Sequence, residues 1–482
     1  MEYKRQTPVS AAKVKVKPRL IIHGGAGNIT PANLAPERYE ALRTALLTII
    51  SKTHTYMRTA SSKSDLPSAL EAATFAVTLL ENDPLFNSGH GAVFTRDGIN
   101  ELEASVMVSR GFKKRGVGVI GLQRVKNPIL LARAILEHGE QDLGGNHRHV
   151  LEGSATPTEY DPNNPDAPSA QGHTLIHGRT AESLAKQYGL EMVEPSYYFT
   201  QPRWDEHIRA LEREKAGKSK VATWDSEEYL PQGTCGAVAL DSDGVVCCAT
   251  STGGLTNKLT GRIGDTPAIG AGYWAEEWTE EGDPTRRTGQ KSAWEMGMDY
   301  IRQTGPIVEF GASLRSIMAD CLPTPFMYTP IQQASQSKLT TTRSVAVSGT
   351  GNGDSFLRVN AARTVAAIAR WKPESSAVAL SDVTGPGGEL QKSAGDRWGK
   401  TGEGEGGIIG IEATIVRNAH GDVVEVRGDI LDDHNCGGLI RAWIDDKGKA
   451  VFKLFRDDTE SKRQGFIGHG QPEEISDWVS EE

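Results

Sequence analysis

Hydrophobic positions along the chain follow two rhythms, one of about three and a half residues and one of two. RLIIHGGAGN (19–28) is a short apolar run that ends in glycines, which predicts a buried strand entering a turn. From Pro36 to about Lys52, ERYEALRTALLTIISK has helical spacing, and PSALEAATFAVTLL predicts a second, small-residue helix ending at Leu80. ENDPLFNSGHG (81–91) reads as a loop, and AVFTRDGINELEASVMVS (92–109) alternates like two strands around an Asp-Gly turn. VGVIGLQRV (117–125) predicts a strand, while PILLARAILEHG (128–139), AESLAKQYGL (181–190) and WDEHIRALEREKAGKSK (204–220) predict helices. The last of these trails into a polar linker that ends at Gly233. CGAVAL and VVCCATS flank a DSDG turn as a hairpin. RSVAVSGTGNGDSFLR (343–358) returns to a strand and a glycine turn, RVNAARTVAAIARW (358–371) is a helix, and GIIGIEATIVRNAHGDVVEVRGD and LIRAWIDDKGKAVFKLF supply the final strands. Polar stretches at about 141–172, 276–342 and 385–406 read as insertions. Helices in pairs and strands in hairpins predict an α+β protein with antiparallel sheets covered by helices, not a wound βαβ sheet.

Composition narrows the picture. The 482 residues are 38% hydrophobic and 24% charged, enough for a globular core, and the formal net charge of -9 argues against nucleic acid as the main partner. The N-terminus is basic without an apolar core segment, and no run has the length of a membrane span, so the expectation is a cytoplasmic protein with no membrane partner. Five cysteines (Cys235, Cys247, Cys248, Cys321 and Cys436) lack CxxC spacing and read as free thiols. Gly402, Gly404 and Gly407 fit GxGxxG, but a strand follows them where a dinucleotide fingerprint must open a helix. No organic cofactor is expected.

Thr234 is the candidate for chemistry. It follows Gly233 and precedes a strand. A hydroxyl is a weak nucleophile without an adjacent base. Were the Gly233–Thr234 bond cut, the new α-amine, with a reference pKa of about 7.7–8.0, would lie beside its own Oγ1 and serve as that base. Glycine tolerates the backbone geometry such a cut requires. Downstream, Arg262 and Asp265 lie three apart on a Gly-rich turn. A guanidinium holds a carboxylate and a carboxylate holds an ammonium, so the two suit the zwitterionic end of an α-amino acid.

HGGAG (23–27), NDPLFNSGHGAVFTRDGINELEASVM (82–107), GTCGAVALDSDGVVCCATSTGGLTNKLTGRIGDTP (233–267) and SGTGNGD (348–354) resemble the plant-type asparaginase and isoaspartyl aminopeptidase family of threonine N-terminal-nucleophile hydrolases. The resemblance implies a four-layer αββα sandwich made by an N-terminal chain, 1–233, and a C-terminal chain, 234–482, after self-cleavage. It implies hydrolysis of L-asparagine or β-aspartyl peptides through an ester on Thr234, tuned by Thr252, with Asn87 close by. Arg262 and Asp265 would hold the α-carboxylate and α-ammonium, and Thr350 with Gly351 would form the oxyanion hole. The family often wraps a structural Na+ in main-chain carbonyls, which here are those of Leu80, Glu81, Asp83, Phe86, Ser88 and His90. It implies a homodimer of processed pairs. Gly253 and Asp265 match the asparaginases, whereas TGNGD is closer to glycosylasparaginases, and Cys235 replaces the common Val. A glycosylasparaginase, a threonine endopeptidase and an uncleaved, silent homologue acting as a binding protein are the alternatives.

Overall fold

The computed structural model describes residues 15–60, 66–144, 169–218, 222–228, 233–282, 339–372, 374–456 and 466–479. Most of the insertions at 141–172 and 276–342, and the N-terminal arm before Lys15, lie outside them. The described residues divide into a large unit, within 15–278, 344–413 and 427–482, and a small one, 279–282, 339–343 and 414–426. In the small unit Thr341 Oγ1 donates to the Gly282 carbonyl and Arg417 donates to Thr342 Oγ1 at 3.0 Å.

Two sheets and their helices make the fold α+β. The larger sheet contains β1 (Arg19–Gly27), β2 (Leu102–Val108), β3 (Gly116–Leu122), β4 (Leu175–His177), β5 (Cys235–Leu240) and β6 (Val246–Thr252), with β11 (Gly438–Ile444), β12 (Ala450–Lys453) and β13 (Pro472–Glu473). The smaller holds β7 (Tyr273–Glu281), β8 (Thr340–Gly351), β9 (Gly406–Arg417) and β10 (Val423–His434). Their orders are β13-β12-β11-β1-β5-β6-β2-β3-β4 and β10-β9-β8-β7. Among the described pairs of the larger sheet only β3–β4 is parallel. The helices are α1 (Pro36–Arg58), α2 (Ala69–Asn82), α3 (Pro128–Asp142), α4 (Gly178–Gln187), α5 (Gln201–Lys215), α6 (Gly353–Val359), α7 (Ala361–Trp371), α8 (Ser376–Thr384) and α9 (Glu389–Lys392).

Local chemistry sets the helix ends. α1 starts at a proline, which suits the first turn. α2 opens on a capping box, in which Ser68 Oγ takes the Glu71 N–H and Glu71 Oε2 takes the Ser68 N–H.

The central strands are buried on both faces, so successive residues serve two cores. Leu20 and Ile22 join the helices α1–α4, while Ile21 joins residues of the smaller sheet such as Ile409 and Ile411. In β5, Ala237 and Ala239 face the helices, where α2 presents Ala69, Ala72, Ala73 and Ala76, and the larger Val238 and Leu240 face the other sheet. Alanine against alanine lets helix and strand approach closely. A third core joins Val345, Val347 and Ile408 to α6–α8 through Phe356, Ala362, Val365 and Leu380. No described helix is long and apolar enough to cross a membrane.

The structure corrects three readings of the pattern. Of 92–109 only Leu102–Val108 is a strand. Residues 92–101 form an irregular loop, tied by Asn100 Nδ2 to the carbonyls of Ala92 and Val93, both at 3.0 Å, and by the Arg96 N–H to the Lys258 carbonyl at 2.9 Å. The polar stretch at 276–342 was set too wide, because β7 runs on to Glu281 and β8 begins at Thr340. Glu276 sits within β7, bonded to Arg363 (3.1 Å) and Arg370 (2.8 Å) of α7. The stretch 385–406 is folded too: it holds α9, whose Leu390 is buried, and leads into β9. That strand after GEGEGG agrees with rejecting a dinucleotide loop.

Candidate active site

β5 begins immediately after Thr234, deep in the larger sheet, and Thr234 is buried. Its Oγ1 lies 3.0 Å from Thr266 Oγ1, and its N–H donates to Thr350 Oγ1 at 2.9 Å. Thr350 Oγ1 also accepts the Ala26 N–H at 3.1 Å, so the HGGAG segment of β1 and the end of β8 meet at Thr234. Asn87 Nδ2 points at the carbonyls of Gly233 (3.3 Å) and Gly254 (2.7 Å), while its Oδ1 takes the Val93 N–H at 3.0 Å. The Gly233 carbonyl therefore carries an amide donor on one side and Thr234 on the other.

The glycines around this point are spacing requirements. A Cβ on Gly233 would collide with the backbone of Gly25 and Ala26. One on Gly253 would lie 2.8 Å from Asn87 Oδ1 and from the Ala92 methyl, so any side chain there displaces Asn87. One on Gly236 would strike His23 Nε2 and Ser348 Oγ, which bond each other at 2.7 Å. Burial pushes His23 down to about 3, so its imidazole is neutral. Cys235 points away, into the core beneath α2, which is why a small apolar thiol can stand there.

Thr252 is the last residue of β6. Cys235 pairs with Ser251, and one further step of that register sets Thr234 opposite Thr252. The Thr252 hydroxyl accepts the Gly254 N–H at 2.9 Å, and the hydroxyl beside Thr234 Oγ1 is that of Thr266.

Arg262 and Asp265 occupy the turn after β6. Arg262 Nη2 donates to Asp354 Oδ2 at 3.0 Å. Asp265 is buried, and its Oδ2 has no hydrogen-bond partner among the described residues. Burial raises its carboxyl to about 7, partly opposed by the Arg262 guanidinium. A methyl group on Gly353 would press on Asp265 Oδ1 and come within 3.0 Å of Arg262 Nη2. The two side chains thus both pack against Gly353, where a side chain would collide with them. Glu103 takes the Gly264 N–H at 3.1 Å. Burial raises the Glu103 carboxyl, with Lys258 and Arg262 opposing. Lys258 is buried and donates to the Glu101 carbonyl at 2.9 Å.

Gly351 ends β8 with φ +135, and its Cα faces the Glu405 carbonyl too closely for any side chain. The linker before Gly233 is not free along its length. Asn28 Nδ2 bonds the carbonyls of Asp225 and Ser226, both at 3.0 Å, and Trp224 Nε1 donates to Glu405 Oε2 at 3.2 Å.

In the loop 80–91, the carbonyls of Leu80, Glu81 and Asp83 take N–H bonds from Asp83, His90 and Phe86. Each carbonyl oxygen keeps a second lone pair, so the ring named from sequence, completed by Phe86, Ser88 and His90, retains acceptors for a hard cation. Among the described residues no cluster of three His, Cys, Asp or Glu is placed to hold a metal.

Sequence reasoning missed Thr266, Asp354, Glu103, Lys258, Ser348 and a role for His23. Thr266 and Asp354 sit inside the motifs, at GRIGDTP and SGTGNGD. Glu103 and Lys258 also lie inside the quoted stretches 82–107 and 233–267, but no spacing singles them out.

Around the buried Thr234 the glycines leave no room for side chains, and comparison with known proteins identifies the family. A family model described as Asparaginase matches residues 16–148 and 169–280, about half of the chain. The chain belongs to this asparaginase family. It is 34% identical over 288 residues to a putative isoaspartyl peptidase/L-asparaginase of Dictyostelium discoideum, covering 54% of this chain and 70% of that protein. It is 36% identical over 256 residues to the isoaspartyl peptidase of Escherichia coli (strain K12), covering 53% and 67%. The plant-type L-asparaginase of Pyrococcus furiosus is 32% identical over 265 residues, covering 54% and 70%.

Proposed function

We propose that the chain cuts itself between Gly233 and Thr234 and then hydrolyses the side-chain amide of L-asparagine or of β-aspartyl peptides. The observation that carries this reading is the Gly233 carbonyl, held by Asn87 Nδ2 directly beside the buried Thr234. The names of the relatives supply the substrate class. After the cut, the Thr234 α-amine takes the proton from Oγ1 as it attacks the amide carbon. Ammonia or an amino compound leaves, and water splits the acyl-threonine ester. Arg262 holds the substrate α-carboxylate, displacing Asp354, and Asp265 takes the α-ammonium as the partner its Oδ2 lacks. Thr350 and Gly351 stabilise the tetrahedral oxyanion, by donors aimed at the charge that develops. No organic cofactor is needed for these steps. A sodium ion held by the carbonyls of Leu80, Glu81, Asp83, Phe86, Ser88 and His90 would stiffen the loop that carries Asn87. The architecture is read as the four-layer αββα sandwich of N-terminal-nucleophile hydrolases, a reading supported by the three successive cores.

The test is a comparison of purified wild type with Thr234→Ala. Wild type should appear as two fragments, one beginning Thr-Cys-Gly-Ala-Val, and release ammonia from L-asparagine or aspartate from a β-aspartyl dipeptide. Thr234→Ala should stay whole and inactive. An intact, fully active wild type overturns the mechanism, and efficient cleavage of Nα-acylated asparagine overturns the roles of Arg262 and Asp265.

A further inference from the structure

The contact between Thr234 and Thr266 is assigned no role by the mechanism above. Thr266 is fully buried, and its Oγ1 lies 3.0 Å from Thr234 Oγ1, the atom that must attack. Its position is fixed from behind. Its backbone carbonyl accepts the Ser105 hydroxyl at 2.6 Å, and Ser105 Oγ in turn shares a short hydrogen bond with Thr250 on β6. The next residue, Pro267, packs so tightly on Gly118 of β3 that no Cβ fits between them. The Thr266 backbone is therefore held by β2 through Ser105 and by β3 through Gly118, and its side chain is buried.

We propose that Thr266 is a catalytic residue of the self-cleavage step, a proposal that rests on the reading of Gly233–Thr234 as the cut bond. The uncut chain has no α-amine at Thr234 to act as base. Its nitrogen is an amide, and its N–H is already given to Thr350 Oγ1. The Thr252 hydroxyl is engaged with Gly254. That leaves Thr266 as the side chain bonded to the attacking oxygen. By accepting the Thr234 O–H it turns the hydrogen away and leaves an oxygen lone pair for the Gly233 carbon. The Oγ1–C bond forms while the negative charge grows on the Gly233 oxygen, toward Asn87 Nδ2. The C–N bond then breaks, and the Oγ1 proton ends on the departing Thr234 nitrogen. Water adds to the resulting ester, giving the Gly233 carboxylate and restoring the Thr234 hydroxyl.

The test uses the full chain and three forms of position 266, following conversion of whole chain to fragments after rapid purification. Thr266→Val keeps the shape and loses the hydroxyl, so conversion should slow by roughly 10- to 100-fold, the worth of a hydrogen bond to a developing charge. Thr266→Ser should restore most of the rate. The thermal midpoint of each variant, measured in the uncleavable Thr234→Ala background, should show Val at least as stable as Ser, which separates loss of the hydroxyl from loss of packing. Equal conversion rates for Val and wild type overturn the proposal, and so does a Ser form as slow as Val. If wild type never converts, the underlying reading fails instead, and that result is distinct from either outcome.

Discussion

Asp265 is a buried carboxyl whose Oδ2 has no hydrogen-bond partner among the described residues, and this has a measurable effect on stability. Its folded pKa stands at about 7 against an ordinary value of 3.8, chiefly because burial penalises the charged form. The folded protein thus keeps this proton to higher pH than the unfolded chain does. The stability it contributes is full below the ordinary value and is lost as pH rises through about 7. At about 1.4 kcal/mol per pKa unit, the complete loss is about 4 kcal/mol. From about pH 5 to about pH 8 the unfolded carboxyl is ionised throughout and the folded one only at the upper end, so roughly 2.5 kcal/mol is lost in that window. Asp265→Asn removes the titration. Its amide puts a donor where Oδ2 has no partner, a pH-independent cost of about 1–3 kcal/mol. The assay is urea unfolding of the Asn form and its parent at both pH values, each in the Thr234→Ala background so that the chain remains in one piece. The stability difference should move in favour of Asn by about 2.5 kcal/mol on going to the higher pH. A difference that stays constant to within about 0.5 kcal/mol refutes the claim that this carboxyl is held neutral by burial.

Two other variants separate the cut from substrate recognition. Asn87→Ala removes the donor on the Gly233 carbonyl and should slow the appearance of fragments by about 10²–10³, read from the half-time on a gel. Gly353→Ala drives a methyl group against Asp265 Oδ1 and Arg262 Nη2 and must displace them. It should raise KM for L-asparagine by roughly tenfold or more while fragments still form, since a steric loss of about 1.4 kcal/mol already gives that factor.

The long helices and the hairpin of β5 and β6 were legible because their signals are local: apolar spacing and a DSDG turn. Residues 92–101 misled because alternation has the same appearance wherever backbone groups are satisfied. Here side chains such as Asn87 and Asn100 satisfy them in place of a strand partner. β7 was hidden for the opposite reason. Its Glu276 looks like a surface residue until Arg363 and Arg370 arrive from 87 and 94 positions away. The same distinction divides the site. Thr234, Arg262, Asp265 and Thr350 stand in motifs whose order along the chain is informative. Glu103, Ser348 and Thr266 stand in the same stretches, but what each does is set by what folds against it, which no spacing encodes.

The order of strands in the larger sheet has a consequence for the lifetime of the protein. β1 lies between β11 and β5, and β2 lies between β6 and β3. A cut at Gly233 therefore divides the polypeptide but not the sheet, in which strands from the two pieces are threaded past one another. Before the cut, an unfolded molecule finds its own missing strands at the high local concentration a continuous chain provides. After it, unfolding releases two solutes, and rejoining becomes a second-order encounter between pieces with unpaired edges prone to aggregate. Maturation would then exchange a protein that can repair itself for one whose survival depends on how slowly it opens.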